Sequence, residues 1–353
     1  MQLASSSRLG SYLYRLSTIF KSFKALYSLS PEKVSSFLSS YNIYDHDWVD
    51  ENELIKDMGL DYYQEVKRKI ADYYSVLNHL CAIGHVEKMY IPPLRDLSQS
   101  ILANQNLFEK KMSEDLAVPR GGKILDVGCG RGRIANHMAR LTGAHVTGMN
   151  IDKTQIACAQ EFAVSSGFGE RCQFQVGDLN DLPLPFADNS FDGVYEVQAF
   201  TYSKDLGKLF KDIYRVLKPG ARFACLDWAK LEKYDQGNPE HLALMKRIKP
   251  LIGAIGTPLD REYVSLLQEA GFKIVVDENA SIGGFQAPLI ENADRFFTRV
   301  NRLVNFFVQC KVLPSHFQSL FDRLTKDGEA FVEADKLGLV TTSYYAVAEK
   351  PLD

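Results

Sequence analysis

The 353-residue chain has little cysteine, and what it has is unpaired in sequence. Cys81, Cys129, Cys158, Cys172, Cys225 and Cys310 show no C-x-x-C spacing and no nearby histidine pattern, which excludes a zinc site or a disulfide framework and fits the reduced thiols of an intracellular protein. No apolar run reaches about eighteen residues, so no transmembrane helix is expected. Positive charge is not in excess either: the formal net charge is −3, which leaves no electrostatic footprint for a phosphate backbone and argues against a nucleic-acid partner. Internal repeats and low-complexity tracts are absent. At 46% hydrophobic and 24% charged residues the composition is that of a soluble globular chain, long enough for one large domain or two ordinary ones.

Acid is missing from residues 1–30, whereas Arg8, Arg15, Lys21 and Lys24 lie there and the first acid is Glu32. Leu9, Tyr12, Leu13, Leu16, Ile19, Phe20, Phe23 and Tyr27 follow the spacing of an amphipathic helix. This serine-rich, basic segment matches a transit peptide, with a mitochondrion or chloroplast as destination. The alternative is a helix packed on its own domain, or lying on a membrane surface, in a protein that stays in the cytoplasm.

Residues 31–118 read as a helical region, with the polar stretch Tyr44 to Lys56 as a turn and Asp61 to Leu80 as a helix. In Met89-Tyr-Ile-Pro-Pro-Leu-Arg95 two consecutive prolines impose an extended loop. After Gly121, short β-branched runs alternate with helical stretches, the pattern of a parallel sheet in βαβ units. Seven strands are predicted: Lys123–Val127, His145–Met149, Cys172–Val176, Phe191–Val197, Arg222–Asp227, Phe272–Val276 and Tyr344–Ala348. The stretch 278–339 between the last two is too long for a structureless loop and is read as a helical cap, leaving 340–353 as last strand and tail.

Leu125-Asp-Val-Gly-Cys-Gly-Arg-Gly132 follows the first strand and opens a helix, where glycines let the backbone approach a ligand. Its G-x-G-x-G spacing departs from the dinucleotide fingerprint and resembles motif I of the class I S-adenosylmethionine-dependent methyltransferases. Val146-Thr-Gly-Met-Asn-Ile-Asp152, Gly177-Asp178-Leu179, Phe191-Asp192 and Arg215-Val-Leu-Lys-Pro-Gly220 follow in the order of that superfamily. The resemblance implies an α/β, Rossmann-like fold with a seven-stranded sheet and S-adenosylmethionine as cofactor, bound within 119–277. Cofactor contacts are then expected at Asp126, Gly128, Gly130, Gly132, Asn150, Ile151, Asp152, Gln155, Asp178 and Leu179. Asn150 and Asp152 would serve the ribose and Asp178 the adenine amine. Asp192 is read as structural, and no metal is expected.

From Gly121 to Leu352 the chain is similar to the sterol 24-C-methyltransferase branch, through Gly143-Ala-His-Val-Thr-Gly148, Tyr214 to Gly220, Asn238-Pro-Glu-His241, Leu337-Gly-Leu and Lys350-Pro-Leu352. It departs at Tyr195-Glu-Val-Gln-Ala-Phe-Thr-Tyr202, where Gln198 and Tyr202 stand in place of that branch's acid and histidine. Alkylating an alkene produces a carbocation that must then lose a proton, and an amide is no base for that. A thioether attacks through its lone pair and needs none. The Val86 to Pro93 run, Asn104-Gln-Asn-Leu-Phe-Glu109 and Leu337 to Ser343 resemble the methylthiohydroxybutyrate S-methyltransferases of dimethylsulfoniopropionate synthesis. That family implies a small-molecule acceptor with a carboxylate, Gln198 and Tyr202 at the reacting centre, and substrate contacts drawn from Tyr90, Arg95, Trp228, Arg295 and Arg299. A sterol or isoprenoid C-methyltransferase is the alternative, and assembly into a homo-oligomer is left open.

Overall fold

The computed structural model describes residues 16–83, 86 and 88–352. Residues 1–15, the first half of the basic segment, lie outside the described residues. A first helix, α1, runs over 16–27. Four more precede the sheet: α2 (Pro31–Ser40), α3 (Glu51–Met58), α4 (Tyr62–Ile83) and α5 (Ile101–Leu116). Ser30 caps α2 by accepting from the Lys33 amide and Pro31 opens it; Ser100 caps α5 through the Ala103 amide. The predicted turn over Tyr44 to Lys56 is corrected: it takes in the end of a 3₁₀ turn (Tyr41–Asp45) and most of α3. Glu51 and Glu53 sit in the first turn of α3, where the helix dipole favours acids, and the buried Leu54 anchors it.

The sheet has seven strands in the order β3-β2-β1-β4-β5-β7-β6: β1 (Lys123–Val127), β2 (His145–Asn150), β3 (Cys172–Val176), β4 (Phe191–Val197), β5 (Leu217–Lys230), β6 (Lys273–Asn279) and β7 (Val340–Glu349). The first five are parallel, while β7 runs antiparallel to both β5 and β6. This is the seven-stranded α/β arrangement of the Rossmann-like methyltransferases. Helices α6 (Arg133–Thr142), α7 (Lys153–Ser165), α8 (Leu206–Val216) and α10 (Asp260–Glu269) cover its faces. One face packs Leu125, Val127, Phe210, Ile213 and Phe223, the other Ile124, Met138, Val146, Leu226 and Val347. β7 and the C-terminal end of β5 outrun their predicted limits because they pair with each other from Arg222↔Glu349 to Lys230↔Val340, and β5 begins earlier where Leu217 pairs with Phe191 of β4.

Helices α9 (Pro239–Ile252), α11 (Ala287–Gln309), α12 (His316–Leu324) and α13 (Gly328–Leu337) stand beyond the strand ends, the last three in the 278–339 insertion. α9 and α13 pack together in a separate cluster with Trp228, whereas α11 and α12 share a core with the N-terminal helices, in which Phe37, Tyr44, Val66, Tyr73 and Val76 meet Phe317, Leu320 and Phe321. The helix α1 belongs to this core. Its Leu26 is fully buried, its Phe23 ring lies 5.8 Å from that of Phe317, and the Leu26 carbonyl meets the His316 ring at 2.8 Å. The second half of the basic segment is thus part of the folded body.

Candidate active site

The strands β1, β2 and β4 end on one cleft, roofed by α4 and by the loop over Lys88–Asp96; the space it encloses, solvent mouth included, is about 1030 Å³. Its floor is the glycine loop. The amides of Gly128 and Cys129 donate to the Met149 carbonyl at 2.8 and 3.0 Å, locking the loop to β2. Gly128 has φ +84°, and a Cβ there would collide with that of Ala199, so the loop lies flush on the turn after β4. Gly130 lines the cleft at φ +52°, with Gln155 Oε1 3.3 Å from where its Cβ would stand. Gly132 is corrected as a contact residue: at φ +68° it opens α6 and packs against Phe174 and Ala159 instead.

Asp126 is buried beneath this floor and accepts from the Tyr195 hydroxyl at 2.6 Å. Burial pushes its carboxyl up to about 7 despite that bond. It supports the loop from below and does not line the cleft.

At the far end, Asn150, Ile151, Gln155, Asp178 and Leu179 line the cleft together. Asp152 does not. Its Oδ1 accepts from the Thr154 amide and hydroxyl, both at 2.6 Å, so it caps α7 and leaves the polar wall to Asn150 and Gln155. Asp178 accepts from the Tyr63 hydroxyl at 2.7 Å, Lys67 Nζ at 2.9 Å and the Asn180 amide at 2.9 Å. Burial alone would raise its pKa, but those three donors outweigh it and hold the carboxyl below its ordinary range.

The opposite wall is the proline loop. Gln198, at φ +53° just past β4, donates from Nε2 to the carbonyls of Ile91 (2.8 Å) and Thr342 (2.9 Å). Its Oε1 accepts from the Ile91 amide at 3.1 Å. Gln286 extends the clamp, donating to the Pro92 carbonyl at 2.8 Å and accepting from the Thr342 hydroxyl at 2.9 Å. The loop is held to β7 by two glutamines because two prolines deprive it of donors of its own. Gln198 thus lines the cleft, as expected of a residue near the reacting centre, with its amide engaged in holding the proline loop.

Lys88, Met89 and Tyr90 project from this loop into the cleft lining. Behind them the fully buried Glu109 accepts from Lys88 Nζ (2.6 Å) and the Tyr90 hydroxyl (2.8 Å), and its other contact is His137 Nδ1 at 2.5 Å. Tyr202 closes the cleft beside Tyr74, its hydroxyl 3.2 Å from that of Tyr74 and 3.1 Å from that of Tyr44. Burial raises the pKa of all three phenols, so they stay protonated at neutral pH.

Four predicted substrate contacts lie elsewhere. Arg95 is turned away, with its guanidinium on the Ala280 carbonyl at 2.9 Å. Trp228 is packed into the core between α9 and α13. Arg295 and Arg299 are exposed on α11, because the side of that helix facing the protein core carries Val300 and Val304. Sequence reasoning missed Tyr63, Lys67, Tyr74 and Lys88. Only the helical spacing of the α4 tyrosines hinted at them, and which face of α4 meets the sheet is decided by packing more than a hundred residues away in sequence.

The residues fit S-adenosylmethionine. An acceptor for an adenine amine (Asp178), amides for a ribose (Asn150, Gln155), a side-chain-free backbone at Gly130 and a guanidinium at Arg131 for a carboxylate share one cleft at the strands' carboxyl ends. Bound there, the cofactor supplies an electrophilic methyl group on a sulfonium. Fold and site together define a class I S-adenosylmethionine-dependent methyltransferase.

A family model described as a methyltransferase domain matches residues 125–225. The sterol 24-C-methyltransferase of Pneumocystis carinii is 30% identical over 260 residues, 67% of this chain and 67% of the relative. A sterol 24-C-methyltransferase of Gibberella zeae is 28% identical over 323 residues, 86% of this chain and 83% of the relative. Among solved structures, the [4+2]-cyclase SpnF superposes with a TM-score of 0.62 at 20% identity, covering 81% of this chain and 97% of its own, which speaks to the fold alone. The chain belongs to the sterol 24-C-methyltransferase family of class I methyltransferases.

Proposed function

We propose that this enzyme methylates the thioether sulfur of a small carboxylate, 4-methylthio-2-hydroxybutyrate, to give the sulfonium acid. One observation carries the reading: among the described residues lining the cleft, Asp178 is the single acid and there is no histidine. Asp178 is occupied by Tyr63, Lys67 and Asn180 at the end suited to adenine, so among the described residues no carboxylate or imidazole faces the acceptor. A thioether needs none. Its lone pair forms the new carbon–sulfur bond, the positive charge moves from one sulfur to the other and no proton is released.

The chain's own contribution is then positioning, which can supply on the order of 7–11 kcal/mol of the barrier. The Gln198 and Gln286 clamp fixes the proline loop, and the loop fixes Lys88 and Tyr90. Lys88 is itself held by the buried Glu109, so it shapes the lining without adding net charge to it. The rings of Tyr74 and Tyr202 border the acceptor side of the cleft, where positive charge passes, each cation–π contact contributing about 0.5–2 kcal/mol.

A second reading, sterol or isoprenoid C-methylation, is favoured by the identity to proteins named sterol 24-C-methyltransferases. Incubating the protein with methyl-labelled S-adenosylmethionine and 4-methylthio-2-hydroxybutyrate, methionine, a Δ24-sterol or squalene separates the two. Label in the thioether acid supports the proposal; label in the sterol alone returns the enzyme to its relatives' activity. Delivery to a mitochondrion or chloroplast is proposed on the composition of residues 1–30, with α1 retained in the folded protein because Leu26 is part of its core, and is tested by fusing the segment to a reporter.

A further inference from the structure

The arginine stripe that the cleft leaves unused sits on a surface of a distinct kind. Along the outer face of α11, Phe296, Leu303 and Phe306 are 49%, 55% and 56% exposed, and Arg299 and Arg302 are exposed among them. The spacing 296, 299, 303, 306 places these on one side of the helix. The opposite side is fixed: Val300, Val304 and Val308 pack into the helical core, and Asn301 donates to Asp322 on α12 at 2.9 Å. The face cannot turn inward.

Charge along this segment is of one sign. From residue 295 to residue 321 there is no Asp or Glu, while Arg295, Arg299, Arg302 and Lys311 lie there, in a chain whose net charge is −3. Arg295 is tied locally to the Glu291 carbonyl and the Asn292 side chain. Large apolar side chains between cations describe a helix that lies in the plane of a bilayer interface, rings in the acyl boundary and guanidinium groups among anionic headgroups. No helix among the described residues is long and apolar enough to cross a membrane, so the contact would be peripheral. A second copy of the chain fits less well, because a two-fold interface would set the same cations against each other.

We propose that the outer face of α11 docks the enzyme on an anionic lipid surface, independently of what the cleft methylates. The full chain is sedimented with phosphatidylcholine vesicles and with phosphatidylcholine vesicles containing phosphatidylglycerol, at low and high salt. The expected result is binding to the anionic vesicles alone, weakened by salt. Two variants test the face: Arg299→Gln with Arg302→Gln, and Leu303→Ser with Phe306→Ser. Each charge near such a surface is worth about fivefold in partition, so the first pair should lose roughly twentyfold or more. Both variants should keep the wild-type melting temperature and methyl-transfer rate. Equal binding to neutral vesicles, no binding to either, variants that bind as wild type, or a concentration-dependent dimer abolished by Leu303→Ser with Phe306→Ser would each overturn the proposal.

Discussion

Gln198 and Ile91 exchange two hydrogen bonds, amide side chain to backbone, so that a residue at the end of β4 pairs with the proline loop as a strand neighbour would. Replacing this amide by an acid removes both Nε2 donors and sets a carboxylate against the carbonyls of Ile91 and Thr342. Unmet carbonyls cost on the order of 1–3 kcal/mol each. Gln198→Glu is therefore expected to lower the melting temperature, to reduce thioether methylation at least tenfold and to raise KM for an anionic acceptor. Steady-state kinetics and a thermal melt check this, with Gln198→Met as the uncharged control for shape. Sterol methylation gained by Gln198→Glu, in a protein whose native form ignores thioethers, would reverse the functional reading.

Cofactor affinity should depend on Asp178 and Gly130 separately. Asp178→Ala removes the acceptor that Tyr63 and Lys67 converge on and is expected to weaken S-adenosylmethionine binding about tenfold or more in calorimetry. Gly130→Val forces a β-branched residue to φ +52°, at a strain of about 1–2 kcal/mol, and crowds Gln155. Wild-type affinity in Gly130→Val would mean that the cofactor lies elsewhere.

Removing residues 1–30 should destabilise the protein. It takes away the fully buried Leu26, worth about 1.5–3 kcal/mol, and the contact of Phe23 with Phe317. A shortened chain starting at Pro31 is expected to melt several degrees lower. An unchanged melting temperature would show that α1 contributes nothing to the fold.

Mild acid should act favourably through Asp126. Its carboxyl, pushed up to about 7 in the folded chain, titrates near 3.9 when unfolded. Between those values the folded state holds the extra proton, so this group's contribution to stability falls as pH rises from about 4 to 7 and is flat above. Burial raises Glu196 in the same direction, aided by the neighbouring Asp227. Burial lowers His79, whose contribution instead is lost as pH falls. Comparing melts of the native protein and Asp126→Asn from pH 7.5 to 5.5 isolates the aspartate: acidification should gain more stability in the native protein than in the variant.

The sheet was legible because its signals are local. Each predicted strand coincides with the core of an observed one, and the βα turns carry glycines whose positive φ no other residue adopts cheaply. The end of the cleft at the strand termini was legible in the same way: Gly130, Asn150, Gln155 and Asp178, all singled out in the sequence, line it together. Asp152 misled because an acid two residues past a strand serves a ribose or caps the next helix, and only coordinates separate the two. The acceptor side was not legible. Lys88, Tyr74 and Tyr63 reach the cleft through the docking of α4 and the proline loop, fixed by contacts such as Gln198 with Thr342 that join segments 144 residues apart. Arg295 and Arg299 had the right charge and helical spacing, yet the valines beside them decide which side of α11 faces inward.

The count of protons released per turnover tests the central claim most directly. Methyl transfer to a thioether releases none, whereas methylating an alkene carbon with restoration of the double bond releases one. In weakly buffered solution, with S-adenosylhomocysteine formation followed in parallel, the account predicts product accumulating on 4-methylthio-2-hydroxybutyrate with no accompanying acidification. One proton released per S-adenosylhomocysteine, with a sterol as the acceptor consumed, would contradict it.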